Sequence, residues 1–228
     1  MAAGSGPESA RSDAERYRER RPSRDGIGRV YMGREIARVM GYQGAAWLER
    51  PTRRMEERTD LLIRALPLEE GDVVADIGAG TGYFSLPIAR RVPRGRVLAV
   101  DLQAEMLSIV VRRADEAGLT NIEPVRATET DPGLAPSSVD LALFVDVYHE
   151  ISHPYEVMRA VAEALEPDGV VVLVEYRAED PSVPIKPLHK MTQRQAKKEM
   201  RAVGLEWLQT IDVLPQQHLM LFGKAPED

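Results

Sequence analysis

A chain of 228 residues with 43% hydrophobic and 29% charged residues and a formal net charge of −6 is long enough for one core-bearing domain with an appendage. It contains no cysteine, which excludes disulfides, thiolate metal sites and cysteine nucleophiles. Residues 1–60 carry a net +3 and residues 61–228 a net −9, the reverse of the basic stripe on the folded part of a nucleic-acid reader. No apolar run approaches the roughly 20 residues that span a bilayer, and the N-terminus lacks a signal-type apolar stretch. These features predict a cytoplasmic protein with neither nucleic acid nor membrane as partner, the case against nucleic acid being weaker for a small RNA-contacting patch at the N-terminus, and leave the oligomeric state open.

Residues 1–25 hold almost nothing apolar and are expected to be a disordered tail. Residues 26–70 read as a helical cap or lid. Ile36, Val39 and Met40 at i, i+3, i+4 predict a helix over 34–40; Gly41, Gly44 and Pro51 interrupt it. Thr52 then opens a second helix that ends before Pro67, with Met55, Leu62 and Leu66 inward.

From residue 71 to 228 strands and helices alternate. Strands are expected over 73–77, 96–100, 122–125, 141–147 and 170–174, and helices over 83–91, 104–117, 155–165 and 192–203. Nearly continuous apolar strands separated by helices imply a parallel sheet covered on both faces. The last two strands, 206–213 and 218–223, are too closely joined for a parallel crossover and must be antiparallel. The fold class is α/β, a doubly wound, mostly parallel sheet with an antiparallel C-terminal strand.

The segment VVADIGAGTGYF, residues 73–84, runs an apolar strand into Gly78, Gly80 and Gly82 and then into a helix. Glycines here permit positive φ and a close ligand, and the helix start aims free N–H groups at it. The G-x-G-x-G spacing differs from the dinucleotide fingerprint. Asp76, two residues before the first glycine, suits an ammonium and repels a pyrophosphate. Asp101, ending the second strand 19 residues after Gly82, is placed to accept both hydroxyls of a ribose.

Residues 149–153, HEISH, are formally an H-E-x-x-H zinc motif, which needs both imidazoles on one helix face. Here the segment follows a strand and is ended by Pro154, so a loop is expected and no metal. His149 lies on the carboxyl rim of the sheet, where open α/β folds bind ligands, and is a candidate general base. Glu175 ends the fifth strand on the same rim. The long loop after it carries Lys186, His189 and Lys190, with His189 a further candidate for the substrate side. Tyr31, Trp47 and Arg50 are candidates for a lid.

The order DIGAGTG, VDLQAEML, VDLALFVDVYHEISHP and LEPDGVVVLVEY resembles the class I S-adenosylmethionine (SAM)-dependent methyltransferases, over residues 71–176 in detail and 190–224 in general architecture. It is nearest the small-molecule branch that includes quinone-biosynthesis and arsenite methyltransferases; the missing cysteines set arsenite aside. The resemblance implies a Rossmann-like sheet of seven strands, SAM as cofactor and S-adenosylhomocysteine as product. It implies that Asp76, Gly78, Ala79, Gly80 and Gly82 hold the methionine end of SAM, Asp101 the ribose, and Leu102 and Met106 the adenine. Thr128 stands where relatives often carry an acid for the adenine amino group. Asp146 falls near the SAM amino group and methyl, and with His149 and Glu175 completes the candidate catalytic set. The expected activity is methyl transfer to a small molecule, the acceptor atom being open; the alternative is a SAM-binding module without transferase activity.

Overall fold

The computed structural model describes residues 16–225. Seven strands form the main sheet: β4 (Val73–Ile77), β5 (Arg96–Asp101), β6 (Ile122–Arg126), β7 (Val139–Val145), β8 (Leu165–Tyr176), β9 (Leu205–Ile211) and β10 (Gln217–Lys224). Their spatial order is β6-β5-β4-β7-β8-β10-β9, with β10 antiparallel to both neighbours and the other pairs parallel.

Side chains alternate between two cores, one on each face of the sheet. Ile77, Val100, Phe144 and Leu173 pack with Val157, Met158 and Val161 of α6 (Pro154–Ala164) and with Ala196 and Met200 of α7 (Gln193–Arg201). Val74, Val97, Leu143 and Val172 pack with Leu62 of α3 (Thr59–Ala65) and Ile88 of α4 (Ser85–Arg91). Each fully buried aliphatic side chain contributes about 1.5–3 kcal/mol. Val110 of α5 (Ala104–Glu116) packs on Ala99 of β5. The Thr192 side chain caps α7 by accepting from the Gln195 N–H at 3.1 Å.

The N-terminal segment departs from the expected helical cap. It forms a small antiparallel sheet of β1 (Tyr17–Glu19), β2 (Gly26–Tyr31) and β3 (Arg34–Ala37). The helix expected over 34–40 is therefore a strand through Ala37. Met32 and Gly33 have φ of 45° and 105° and join Tyr31 to Arg34 in a two-residue hairpin, a turn that fixes strand pairing. Of the expected tail, residues 1–15 lie outside the described residues, whereas 16–25 are ordered around buried Tyr17, which packs with Tyr31 and Ile36.

The helix expected from Thr52 is two helices, α2 (Arg53–Glu57) and α3, separated by Arg58 at φ 53°. Leu62 and Leu66 are buried as expected, but Met55 is 74% exposed, because α2 turns Arg53 and Glu57 inward as a 2.9 Å ion pair. A four-residue helix, α1 (Ala45–Leu48), precedes them. No helix among the described residues is long and apolar enough to cross a membrane.

Candidate active site

The carboxyl ends of β4, β5, β7 and β8 meet on one rim, and the segment around Val39–Leu48 lies over it. After Ile77 the chain turns sharply: the Gly78 and Ala79 N–H groups both donate to the Val100 carbonyl, at 2.8 and 3.0 Å. Gly78 has φ 69°, and a Cβ there would lie 2.4 Å from Val147 Cγ2, so only glycine fits. Asp101 braces this loop. Its Oδ2 accepts from the Gly80 N–H at 2.9 Å and its Oδ1 from the Gln103 N–H at 2.8 Å. Burial raises the Asp101 pKa while these donors oppose the rise. Each oxygen keeps accepting capacity for a ligand.

A first cavity of about 450 Å³ opens beside this loop. Of the sequence candidates, Gly78, Gly80, Asp101, Leu102, Met106, Thr128 and Asp146 line it. Asp76, Ala79 and Gly82 do not. Asp76 points to the α3–α4 face of the sheet, where its Oδ2 accepts from Ser85 Oγ at 2.5 Å and burial raises its pKa to about 6. Gly82 instead allows close packing, since a Cβ would come within 2.9 Å of Leu86. Gln103 ties the overlying segment down, donating to the Met40 carbonyl at 3.0 Å and accepting from the Tyr42 N–H at 2.7 Å.

β7 ends at Val145, two residues earlier than expected, because Asp146 adopts φ 52° and the chain bends into a 3-10 turn over Tyr148–Glu150. Such a conformation costs roughly 1–3 kcal/mol and Asp tolerates it better than most residues. It places Asp146 between the first cavity and a second one of about 600 Å³. Asp146 Oδ2 accepts from Gln217 Nε2 at 2.7 Å, whereas the buried Oδ1 has no partner. Burial, then the Glu57 and Glu175 carboxylates, push the Asp146 pKa well above the usual range.

The second cavity is lined by His149, Glu150, His189, Tyr176, Arg50 and Arg53, among others. Glu175, fully buried, does not reach it. It stands behind His149, with Oε2 2.6 Å from His149 Nδ1 and Oε1 accepting the His149 N–H at 3.2 Å. Burial pulls the His149 pKa down, but the Glu175 and Glu150 carboxylates outweigh it and raise it to about 10. The ring thus keeps its proton at neutral pH, unlike the free base expected of an unperturbed histidine. His153 is not part of this cavity: it meets Arg29 at 2.5 Å and Ser152 Oγ at 3.0 Å. Of the lid candidates, Trp47 and Arg50 line the second cavity, whereas Tyr31 is buried in the N-terminal sheet.

Sequence reasoning missed Glu57, Arg53, Tyr176 and Gln217. Glu57 accepts from Arg50 at 2.5 Å, Arg53 at 2.9 Å and the Tyr176 hydroxyl at 3.0 Å, a buried charge paired on all sides. Its segment, RPTRRMEER, reads as a solvated helix face, and nothing in its pattern marks it for burial.

The first cavity fits S-adenosylmethionine. The Asp101 carboxylate suits a ribose diol, Leu102 and Met106 offer apolar contact to a purine, and the orphaned Asp146 Oδ1 calls for a donor such as an ammonium. Comparison with known proteins points the same way. Residues 74–169 match a family described as a methyltransferase domain. A tRNA U34 carboxymethyltransferase of Desulfotalea psychrophila is 31% identical over 121 residues, covering 53% of this chain and 37% of that protein. A ubiquinone/menaquinone biosynthesis C-methyltransferase of Bdellovibrio bacteriovorus is 28% identical over 115 residues, covering 50% of this chain and 48% of that one. The chain thus spans about half or less of the length of these curated relatives. A SAM-dependent methyltransferase from Aquifex aeolicus superposes with a TM-score of 0.75 at 19% identity, covering 81% of this chain and 98% of that one, which is a likeness of fold. With a glycine loop braced by Asp101 on the rim of this sheet, these likenesses identify residues 74–169 as a methyltransferase domain, on the fold of the class I S-adenosylmethionine-dependent methyltransferases, with S-adenosylmethionine as cofactor.

Proposed function

We propose that this chain transfers the methyl group of SAM to a small molecule held in the second cavity, against His149. The observation that carries the reading is the junction of the two cavities: Val39, Met40, Leu48, Val145, Asp146 and Glu150 line both. A donor in the first cavity and an acceptor in the second would meet over Asp146. When bound, SAM supplies an already activated methyl on a sulfonium, so the protein's main task is alignment and exclusion of water. Asp101 and the glycine loop hold the donor. Asp146 Oδ1 takes the donor's ammonium. Glu175 orients the His149 ring. His149 Nε2 and His189 Nδ1 stand 3.1 Å apart, so the proton held on His149 can pass to His189 and free Nε2 for an acceptor's proton. Arg24 and Arg38 on the wall of the acceptor cavity suit an acceptor bearing an anionic group.

Incubation of the protein with methyl-labelled SAM and a metabolite extract tests the reading. The expected result is a small compound gaining one labelled methyl. SAM binding without any methylated product supports a SAM-binding module instead, and label entering added tRNA moves the acceptor to nucleic acid.

A further inference from the structure

His149, Glu150 and His189 make a second arrangement on the wall of the acceptor cavity. His149 Nε2 stands 3.1 Å from His189 Nδ1. Glu150 Oε1 lies 3.3 Å from His189 Nδ1 and 3.8 Å from His149 Nε2. Imidazole nitrogens and carboxylate oxygens bind transition metals at about 2.0–2.2 Å, so donors sharing one ion in tetrahedral or octahedral geometry stand about 3–3.5 Å apart. Three donors with the separations seen here have a common point about 2 Å from each, close to their plane.

The outer partners aim these atoms inward. The Nδ1–H of His149 is taken by Glu175 at 2.6 Å, so Nε2 faces the centre and presents its lone pair there once an ion displaces the second ring proton. A carboxylate behind a ligating histidine is the usual outer partner of a metal site. Glu150 Oε2 is occupied by the Met40 N–H at 3.1 Å, leaving Oε1 for the centre. His189 arrives from the far side on the turn Pro187–His189. Lys186, bonded to Asp25 at 2.6 Å, and the Met191 N–H, donating to the Tyr176 carbonyl at 2.9 Å, pin that segment across the cavity. Of the cations near the cluster, Arg50 and Arg53 are paired with Glu57.

We propose that His149 Nε2, His189 Nδ1 and Glu150 Oε1 bind a divalent transition-metal ion of the zinc or iron(II) kind, with its remaining positions open to the acceptor cavity. Two histidines and one carboxylate are a donor set suited to such ions. This ligand set is not the HEISH pair, whose second histidine, His153, lies against Arg29; it departs from the metal-free expectation because His189 is supplied by a segment 40 residues away. An ion here would take an oxygen or nitrogen of the acceptor as a ligand and favour its unprotonated form. That role rests on the methyl-transfer reading; metal binding does not.

The test uses the full chain stripped of metal. Cobalt(II) is titrated as a spectroscopic probe and zinc(II) by calorimetry, with SAM affinity measured on every variant as a check of folding. One ion per chain is expected, with ligand-field bands for cobalt. His189→Ala should weaken binding at least tenfold and Glu175→Gln about 10–100-fold, the usual effect of losing an outer partner. His153→Ala should bind as the parent does. Cobalt binding that is absent, or equal in the parent and His189→Ala, overturns the proposal. The two readings fail separately. Methylated product from protein that binds no cobalt sinks the metal site alone, and stoichiometric cobalt without any product sinks methyl transfer alone.

Discussion

The first cavity is built on two adjacent strand ends: Gly78 and Gly80 follow β4 with their N–H groups given to the Val100 carbonyl and Asp101, and Asp101 ends β5, with Gln103, Thr128 and Asp146 among the other polar residues of its wall. The second cavity takes much of its polar wall from α2, the β7–α6 turn, the end of β8 and the segment after it, through Arg53 and Glu57, His149 and Glu150, Tyr176, and His189. The first is organised by one carboxylate that braces a glycine loop. The second is a web of buried charges held both by near neighbours, as Arg53 with Glu57, and by residues distant in sequence, as Tyr176 with Glu57 and Glu175 with His149, and such webs are sensitive to the loss of any member. Donor binding should therefore tolerate changes on the acceptor side, while turnover should not.

The largest expected effect is on turnover. His149→Ala should lower the methyl-transfer rate by about 10²–10⁴, the range of a group that handles a proton in the reaction. A rate within threefold of the parent would show that the β7–α6 turn only lines the cavity.

Asp76 belongs to the donor loop in sequence but stands behind it, and a stability measurement separates the two descriptions. Its pKa of about 6 in the folded state exceeds the unfolded value near 3.9. The folded protein thus holds this proton more tightly than the unfolded chain, and the stability contributed by the protonated form is lost as pH rises from about 4 through 6. Asp76→Asn removes the cost of ionisation. The variant should match the parent at low pH and exceed it by about 2–3 kcal/mol above pH 7 in denaturant unfolding. A difference that does not vary with pH would show that Asp76 ionises freely.

The smallest effect is expected at Met55, whose side chain points to solvent beside buried Arg53 and Glu57. Met55→Ala should change stability by less than about 0.5 kcal/mol, as at exposed positions generally. A loss of about 2 kcal/mol in thermal or denaturant unfolding would mean that α2 turns its apolar side inward after all.

The same contrast explains which parts were legible in the sequence. Strands β4 to β10 announce themselves by apolar runs bounded by glycine, proline and acid, and the short link before Gln217 forces the antiparallel ending. Gly78, Gly80 and Asp101 are contiguous with those signals, so these three lining residues of the first cavity could be read from spacing, whereas Asp76, Ala79 and Gly82, from the same segment, stand outside it. The N-terminal hairpin was hidden because Ile36, Val39 and Met40 fit helical spacing, and Met32, a poor turn residue by type, takes φ 45° beside Gly33. The break at Arg58 is equally silent, as arginine is seldom chosen for a left-handed position. Nothing local links His149 to His189 or Asp146 to Gln217; these meetings exist only once β8 and β10 pair and the chain after Tyr176 folds back over the rim.

The separation of the two cavities can be measured most directly by titrating SAM into the parent, Asp101→Ala and His149→Ala. Charge-assisted hydrogen bonds to ribose hydroxyls are each worth roughly 1.5–3 kcal/mol, so Asp101→Ala should weaken SAM at least about tenfold. His149→Ala should leave SAM affinity within about twofold, in keeping with a residue outside the donor cavity. An Asp101 variant with parental SAM affinity, or a folded His149 variant that no longer binds SAM, would contradict the division of the rim into a donor side and an acceptor side.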